Sequence, residues 1–273
     1  MTSGLAAAGP LWLVGAGNMG GAMLRGWLKG GLDPQAVTVI DPGGPAVPEG
    51  VRLLSVPPPD GEEPATLVLA VKPQLLDAAT LALAPMIAPE TLVLSIMAGV
   101  EIASLRKRLP TPRAIIRAMP NTPAAIGRGI TALYADGANQ AQREIAEALM
   151  AALGKVEWID REALFDAVTA LSGCGPAFLF RFADALAAAG VAVGLEPAQA
   201  ERLARATVGG AAALLETSDQ TAATLAEQVA SPGGSTREGL NVLDADDALR
   251  QLLEHTLDAA AKRSAELAAA ARD

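Results

Sequence analysis

The stretch GAGNMG, residues 15–20, limits what this chain can fold into more than any other. A short apolar run, LWLV at 11–14, leads into it. A helical pattern at 18–29 leaves it and stops at Gly30–Gly31. Each glycine of such a turn has its own physical purpose. Gly15 permits the tight turn, Gly17 lets a pyrophosphate approach the backbone, and Gly20 lets helix and strand pack closely. The amides at the helix start then face the phosphates. Ala16, Asn18 and Met19 complete the loop and join the three glycines in the predicted cofactor-binding set.

The rest of the first half agrees with that turn. Strand patterns recur at 37–40, 66–71, 91–97, 114–119, 130–135 and 155–159, with a short one at 51–54 inside a Pro- and Gly-rich stretch. Helical patterns at 74–83, 101–108 and 139–153 alternate with them. TLVLAV and TLVLSIM are continuously apolar, as strands covered on both faces are. The alternation predicts an α/β fold, a doubly wound, mostly parallel sheet. After residue 160 strand patterns cease. Helical patterns follow at 161–171, 175–194, 197–216, 221–229, 235–243 and 246–271. The predicted organisation is therefore a dinucleotide-binding domain at 1–160 and a helical domain at 161–273.

Three further segments fall at strand ends on the ligand-binding edge of such a sheet. Asp41 ends the second strand about twenty residues past the glycine loop, where a carboxylate bonds the adenosine ribose and favours NADH. Asp41 equally reads as the start of an Asp-Pro turn. AVKPQ (70–74) and SIMAGV (95–100) end two later strands. They place Ala70, Val71, Lys72, Pro73, Met97, Ala98 and Gly99 in the predicted cofactor set, although ordinary strand-to-helix turns have the same appearance.

Composition narrows the partners. With 21 basic and 30 acidic side chains the formal charge is −9, which argues against a nucleic-acid-binding surface. The single cysteine, Cys174, forms no intrachain disulfide, and a reducing cytoplasm fits. The N-terminal residues lack the basic start of a signal peptide and lead towards the first strand pattern. The apolar stretch 175–195 carries Arg181 and Asp184, so it reads as a buried helix rather than a membrane span. Aromatic residues make up 3 % of the chain, and alanine fills much of the helical half, a composition suited to close helix–helix approach.

The helical half offers few acid–base groups. His255 and Lys262 lie in the last helical pattern and read as surface or packing residues. Cys174, among glycines in LSGCGPAF, reads as a small packing residue, with no nearby basic group to activate it. Alcohol oxidation normally needs a general base. Reduction of an already protonated C=N bond needs only orientation and a weak donor. SPGGSTREGL, residues 231–240, fits that lesser demand. Gly233 and Gly234 expose amides, and the helix start behind them favours an anion such as a carboxylate. Ser231, Ser235 and Thr236 add hydroxyls able to bond a carboxylate or a ring nitrogen.

Taken together, GAGNMG, AVKPQ, SIMAGV, RAMPNTPA (117–124), LSGCGPAF (171–178) and SPGGST resemble the Δ1-pyrroline-5-carboxylate reductase family over nearly the whole chain. That resemblance implies reduction of pyrroline-5-carboxylate to proline with NADPH or NADH, the last step of proline biosynthesis. It implies a Rossmann domain followed by a helical domain that forms an intertwined homodimer, often assembled further, in the cytoplasm and without membrane or metal. By motif, Thr236 would bond the ring nitrogen, while Ser231 and the backbone at 233–236 would hold the carboxylate. Asp41 departs from the pattern, since many members place a small or hydroxylated residue there and use NADPH well. Two other classes share parts of this plan. A β-hydroxyacid dehydrogenase would carry a lysine in the helices at 161–194, and none is present. A non-catalytic dinucleotide sensor would have no need of SPGGST.

Overall fold

The structure, a computed structural model, describes residues 2–58 and 61–270. Among the described residues eight strands form one sheet. They are β1 (Leu11–Val14), β2 (Val37–Ile40), β3 (Arg52–Leu54), β4 (Thr66–Leu69), β5 (Leu92–Ser95), β6 (Ala114–Pro120), β7 (Gly129–Asp136) and β8 (Gly154–Trp158). Their order is β3-β2-β1-β4-β5-β6-β7-β8. Every pairing is parallel except β6–β7. That exception has a local cause. Residues 121–128, a 3₁₀ turn (Thr122–Ile126) with a left-handed Gly127 after it, join β6 to β7, too short a link for a parallel crossover.

Five helices accompany the strands, the last four of them in connections between strands: α1 (Thr2–Ala6), α2 (Asn18–Lys29), α3 (Leu76–Leu83), α4 (Ile102–Arg108) and α5 (Gln140–Ala151). The first of these lies ahead of the opening strand, where the sequence carries no helical periodicity long enough to read. The central strands are buried on both faces, as their unbroken apolar runs predict. Alternate residues serve the two sides. Leu11, Leu13, Val37, Val39 and Val68 pack with Met23, Trp27, Leu149 and Met150. Trp12, Val14, Ile40, Leu67 and Leu69 pack with Leu76, Leu83, Ile102 and Leu105. The Trp27 indole N–H donates to the Leu149 carbonyl at 2.8 Å, so α2 is tied to α5 under the sheet. Truncating so buried an indole to alanine would cost about 3–5 kcal/mol.

Beyond β8 come a 3₁₀ turn (Glu162–Leu164), α6 (Phe165–Val168) and a π turn (Thr169–Gly173). Then follow α7 (Gly175–Ala192), α8 (Pro197–Thr217), α9 (Ala222–Gln228), α10 (Ser235–Asp244) and α11 (Ala248–Ala270). The change of element type falls where the sequence places it, near residue 160. Packing divides the chain differently. One compact unit runs to Cys174 and also takes the chain from Ala260 onward, and the other is Gly175–Ala259. Phe165, Ser264 and Ala268 are buried with the sheet unit although their elements are helical.

In the second unit α7 packs against α8, helped by Gly190, where an added Cβ would lie 3.3 Å from the Ala200 methyl. The expectation of a buried α7 is corrected here, because none of its residues is buried within the chain. Leu179, Phe180, Phe182 and Leu186 are all exposed. The helical run Glu162–Ala192 is long and apolar enough to cross a membrane by length and composition alone. Apolar periodicity reports that a face avoids water. It does not report whether the same chain covers it.

Candidate active site

The glycine loop sits at the switch point of the sheet, where β1 runs between β2 and β4. Its three glycines fit their assigned purposes. At Gly15, φ is +90°, and a Cβ would come within 2.8 Å of the Ala70 carbonyl oxygen. At Gly20 a Cβ would lie 2.2 Å from the Gly15 carbonyl oxygen, so helix and strand could not close. At Gly17 nothing lies within 4 Å, leaving the open approach that a pyrophosphate needs. Gly17 is also the N-cap of α2 and supplies no capping side chain. The amides of the first turn thus lack an internal acceptor.

Asp41 is turned toward this loop. Its Oδ2 accepts the Ala16 N–H and its Oδ1 accepts the Gly43 N–H, each at 2.8 Å. The turn reading holds through Gly43, the other oxygen faces the glycine loop, and each oxygen keeps a lone pair. Beside the loop is an open cavity of about 200 Å³, lined by Ala16, Gly21, Arg25, Ala46, Val47 and Pro48. Arg25 belongs to α2 and was not singled out in the sequence, because a basic residue on a helix face carries no periodic signal.

AVKPQ and SIMAGV end β4 and β5 on the same edge. Ala70 touches the glycine loop, Val71 packs on the core and Lys72 is exposed. Ala98 is exposed, and Gly99 turns with φ +75°. The Met97 side chain is buried in the core, and its N–H faces Ser95 Oγ at 3.3 Å. Any contact of Met97 with a cofactor would have to come from its backbone.

RAMPNTPA acquires a structural account. Arg117, buried in β6, donates to Glu162 Oε1 at 2.8 Å, and its guanidinium lies 4.3 Å above the Phe165 ring. Asn121 donates to the Ser172 carbonyl at 3.2 Å and accepts the Ile130 N–H at 3.0 Å. The segment therefore anchors the π turn that leads to Cys174, whose own N–H reaches the Thr169 carbonyl at 2.8 Å. Sequence reasoning missed Glu162, Asp166 and Ser264. The available signal was Arg117, since a charge inside an apolar strand requires a partner.

The SPGGST loop is built as an open helix start. Gly234 N–H closes a turn on the Ser231 carbonyl at 2.9 Å, with Gly233 at φ +71°. A Cβ at position 234 would sit 2.6 Å from Ser231 Oγ. Gly234 is the N-cap of α10, and no side chain caps the helix. Ser231, Ser235 and Thr236 are exposed. Immediately after, the Arg237 guanidinium grips the Glu227 carboxylate with both terminal nitrogens, Nη1–Oε1 being 3.3 Å, and so pins α10 to α9. That bond holds the Glu227 carboxyl below its usual range and pushes the Arg237 guanidinium up. His255 and Lys262 are exposed on α11 and Cys174 is half-buried. The glycine loop, Asp41, AVKPQ and SIMAGV share one unit, and SPGGST belongs to the other.

A glycine phosphate loop at the switch point of a doubly wound sheet, in a chain whose helical part offers an uncapped helix start, defines a dinucleotide-dependent oxidoreductase of the two-domain type. The family model described as pyrroline-5-carboxylate reductase dimerisation matches residues 162–267. The chain is 40 % identical to a pyrroline-5-carboxylate reductase of Pseudomonas aeruginosa, over 93 % of this chain and 95 % of that one. It is 42 % identical to that of Synechocystis, over 77 % and 79 %. A solved pyrroline-5-carboxylate reductase from Coxiella burnetii superposes with a TM-score of 0.86 at 32 % identity, covering 95 % of this chain and 98 % of the other. One from Plasmodium falciparum, solved with NADP bound, gives 0.79 at 25 %, covering 96 % and 99 %. This chain belongs to the pyrroline-5-carboxylate reductase family.

Proposed function

We propose that the protein reduces Δ1-pyrroline-5-carboxylate to L-proline, the last step of proline biosynthesis. NADPH or NADH supplies the hydride, and the ring C=N accepts it. The observation that carries this reading is the uncapped start of α10 behind Gly233–Gly234, with Thr236 exposed on its first turn, in a chain of this family. The Gly233 N–H and the amides of the first turn of α10 hold the substrate carboxylate, with Ser231 and Ser235 beside them, while the Gly234 N–H is engaged by the Ser231 carbonyl. The Thr236 hydroxyl oxygen accepts the N–H of the protonated ring nitrogen and so orients the C=N bond. No general base is required, because the imine arrives protonated and the product amine keeps its proton.

On the cofactor side, Gly15, Ala16, Gly17, Asn18, Met19 and Gly20 take the pyrophosphate. The open space at Gly17 supports this, and the crowding at Gly15 and Gly20 shows why those positions need glycine. Asp41, at the end of β2, takes the adenosine ribose. Ala70 to Pro73, with Met97, Ala98 and Gly99, lie progressively further across the edge and take the nicotinamide end. The helical segment from 161 onward serves substrate binding and assembly. A second copy of this chain covers the exposed apolar faces of α7 and α8, as a dimerisation module requires. The acidic balance argues against nucleic acid, and the free Cys174 suits the cytoplasm.

The test is direct. Purified protein is given pyrroline-5-carboxylate with NADPH or NADH, and cofactor oxidation and proline formation are followed together. Stoichiometric proline is expected. Failure to consume either cofactor above background would reject the proposal.

A further inference from the structure

The turn from Met97 to Ile102 is gripped by helical residues that the reaction scheme does not use. At one end, the Ile102 N–H that opens α4 donates to Glu162 Oε1 at 2.8 Å, and Arg117 bonds the same oxygen. In the middle, Gly99 abuts the end of α11. A Cβ at position 99 would lie 3.3 Å from the Ala268 nitrogen and 3.4 Å from its Cα. One helical turn before Ala268, buried Ser264 donates its hydroxyl to Asp166 Oδ1 at 2.7 Å. Residues four apart lie on one face of a helix, so that bond also fixes where Ala268 presses. Glu162 and Asp166 are themselves four residues apart in the chain. One short segment thus supplies both acceptors, one for the turn and one for the helix that backs it.

We propose that Ser264, acting through Asp166, is a positioning residue for hydride transfer. It seats the end of α11 behind Gly99 and thereby sets the position of the Ala98–Gly99 backbone against the nicotinamide ring. This rests on the assignment of Met97–Gly99 to the nicotinamide end of the dinucleotide. Most of the cofactor's binding contacts lie elsewhere, at the glycine loop and Asp41. Loosening the support therefore changes the approach of the reacting atoms more than it changes affinity. A misplacement of about 1 Å can cost on the order of a hundredfold in rate, and a partial shift correspondingly less.

The experiment uses the full-length chain with Ser264→Ala, Ser264→Thr, Asp166→Asn and the Ser264→Ala/Asp166→Asn double variant. Melting temperature, NADPH affinity, KM for pyrroline-5-carboxylate and kcat are measured on each. Ser264→Ala is expected to lower kcat about tenfold, with NADPH affinity and KM each within about twofold of the parent. Ser264→Thr, which keeps the hydroxyl, restores most of kcat. The double variant is no slower than Ser264→Ala alone, because the residue at 166 acts on the end of α11 only through the bond that Ser264→Ala has already removed. Nicotinamide fluorescence of bound NADPH shifts in Ser264→Ala and returns in Ser264→Thr, a signature read without turnover. An active parent with an unchanged kcat in Ser264→Ala would overturn the proposal. So would a loss of NADPH affinity in proportion to kcat, failure of threonine to rescue, or additive losses in the double variant. An inactive parent would instead reject the function from which the proposal starts.

Discussion

Replacing Thr236 by valine separates chemistry from helix stability, because the structure fixes the second term in advance. Thr236 is exposed, lies one residue inside α10 and follows an N-cap, Gly234, that makes no side-chain bond. No capping bond is therefore lost. Threonine and valine have nearly equal helix propensities, so the stability change should stay within about 0.5 kcal/mol. For a chain of this size that is roughly 2 °C or less in melting temperature. The catalytic term is larger. A hydrogen bond to a charged ring nitrogen is worth about 1.5–3 kcal/mol, which is roughly a ten- to hundredfold fall in kcat/KM. NADPH affinity should hold, and Thr236→Ser should keep most of the activity. Calorimetry, cofactor titration and initial rates on the three proteins give the answer. A folded valine variant with parental kcat/KM would remove Thr236 from the mechanism. A large fall in melting temperature would show that its hydroxyl caps after all.

Asp41→Ser removes a charge beside the ribose site and should raise the NADPH-to-NADH ratio of kcat/KM about tenfold, the equivalent of ~1.4 kcal/mol. An unchanged ratio would mean that its bonds to Ala16 and Gly43 are its whole contribution. The carboxyl of Glu227 is held below its ordinary value of 4.5 by the Arg237 hydrogen bond. Its stabilising contribution is therefore complete above that pH and fades as pH falls through the lowered value. The gap in melting temperature between parent and Arg237→Gln should be constant above pH 4.5 and close below it, and a gap that widens in acid would contradict the pairing. Light scattering at micromolar concentration should give a dimer or a larger assembly, and a monomer would leave the apolar face of α7 unexplained.

Some of this protein was legible from sequence alone. The glycine loop is a local matter: Gly15, Gly17 and Gly20 answer to backbone angles and clearances within a few residues, so a linear pattern carries them. The unbroken apolar strands announced a sheet covered on both faces. SPGGST announced a helix start without a capping side chain, since Pro and Gly speak for their own backbone, but of the two glycine amides expected to be exposed the Gly234 N–H is taken by the Ser231 carbonyl. Other features depended on distant segments meeting. Asp41 reads from sequence as a turn starter or as a ribose ligand, and only the fold shows its two oxygens on the amides of Ala16 and Gly43. The Arg117–Glu162 pair spans 45 residues and the Ser264–Asp166 bond 98, and no periodicity encodes either. The fate of α7 was opaque for a related reason. An apolar helix face states that it must leave water, but only the packed chain shows that, among the described residues, none of α7 becomes buried. Sequence fixes what each segment needs locally, and the tertiary structure decides which distant group meets that need.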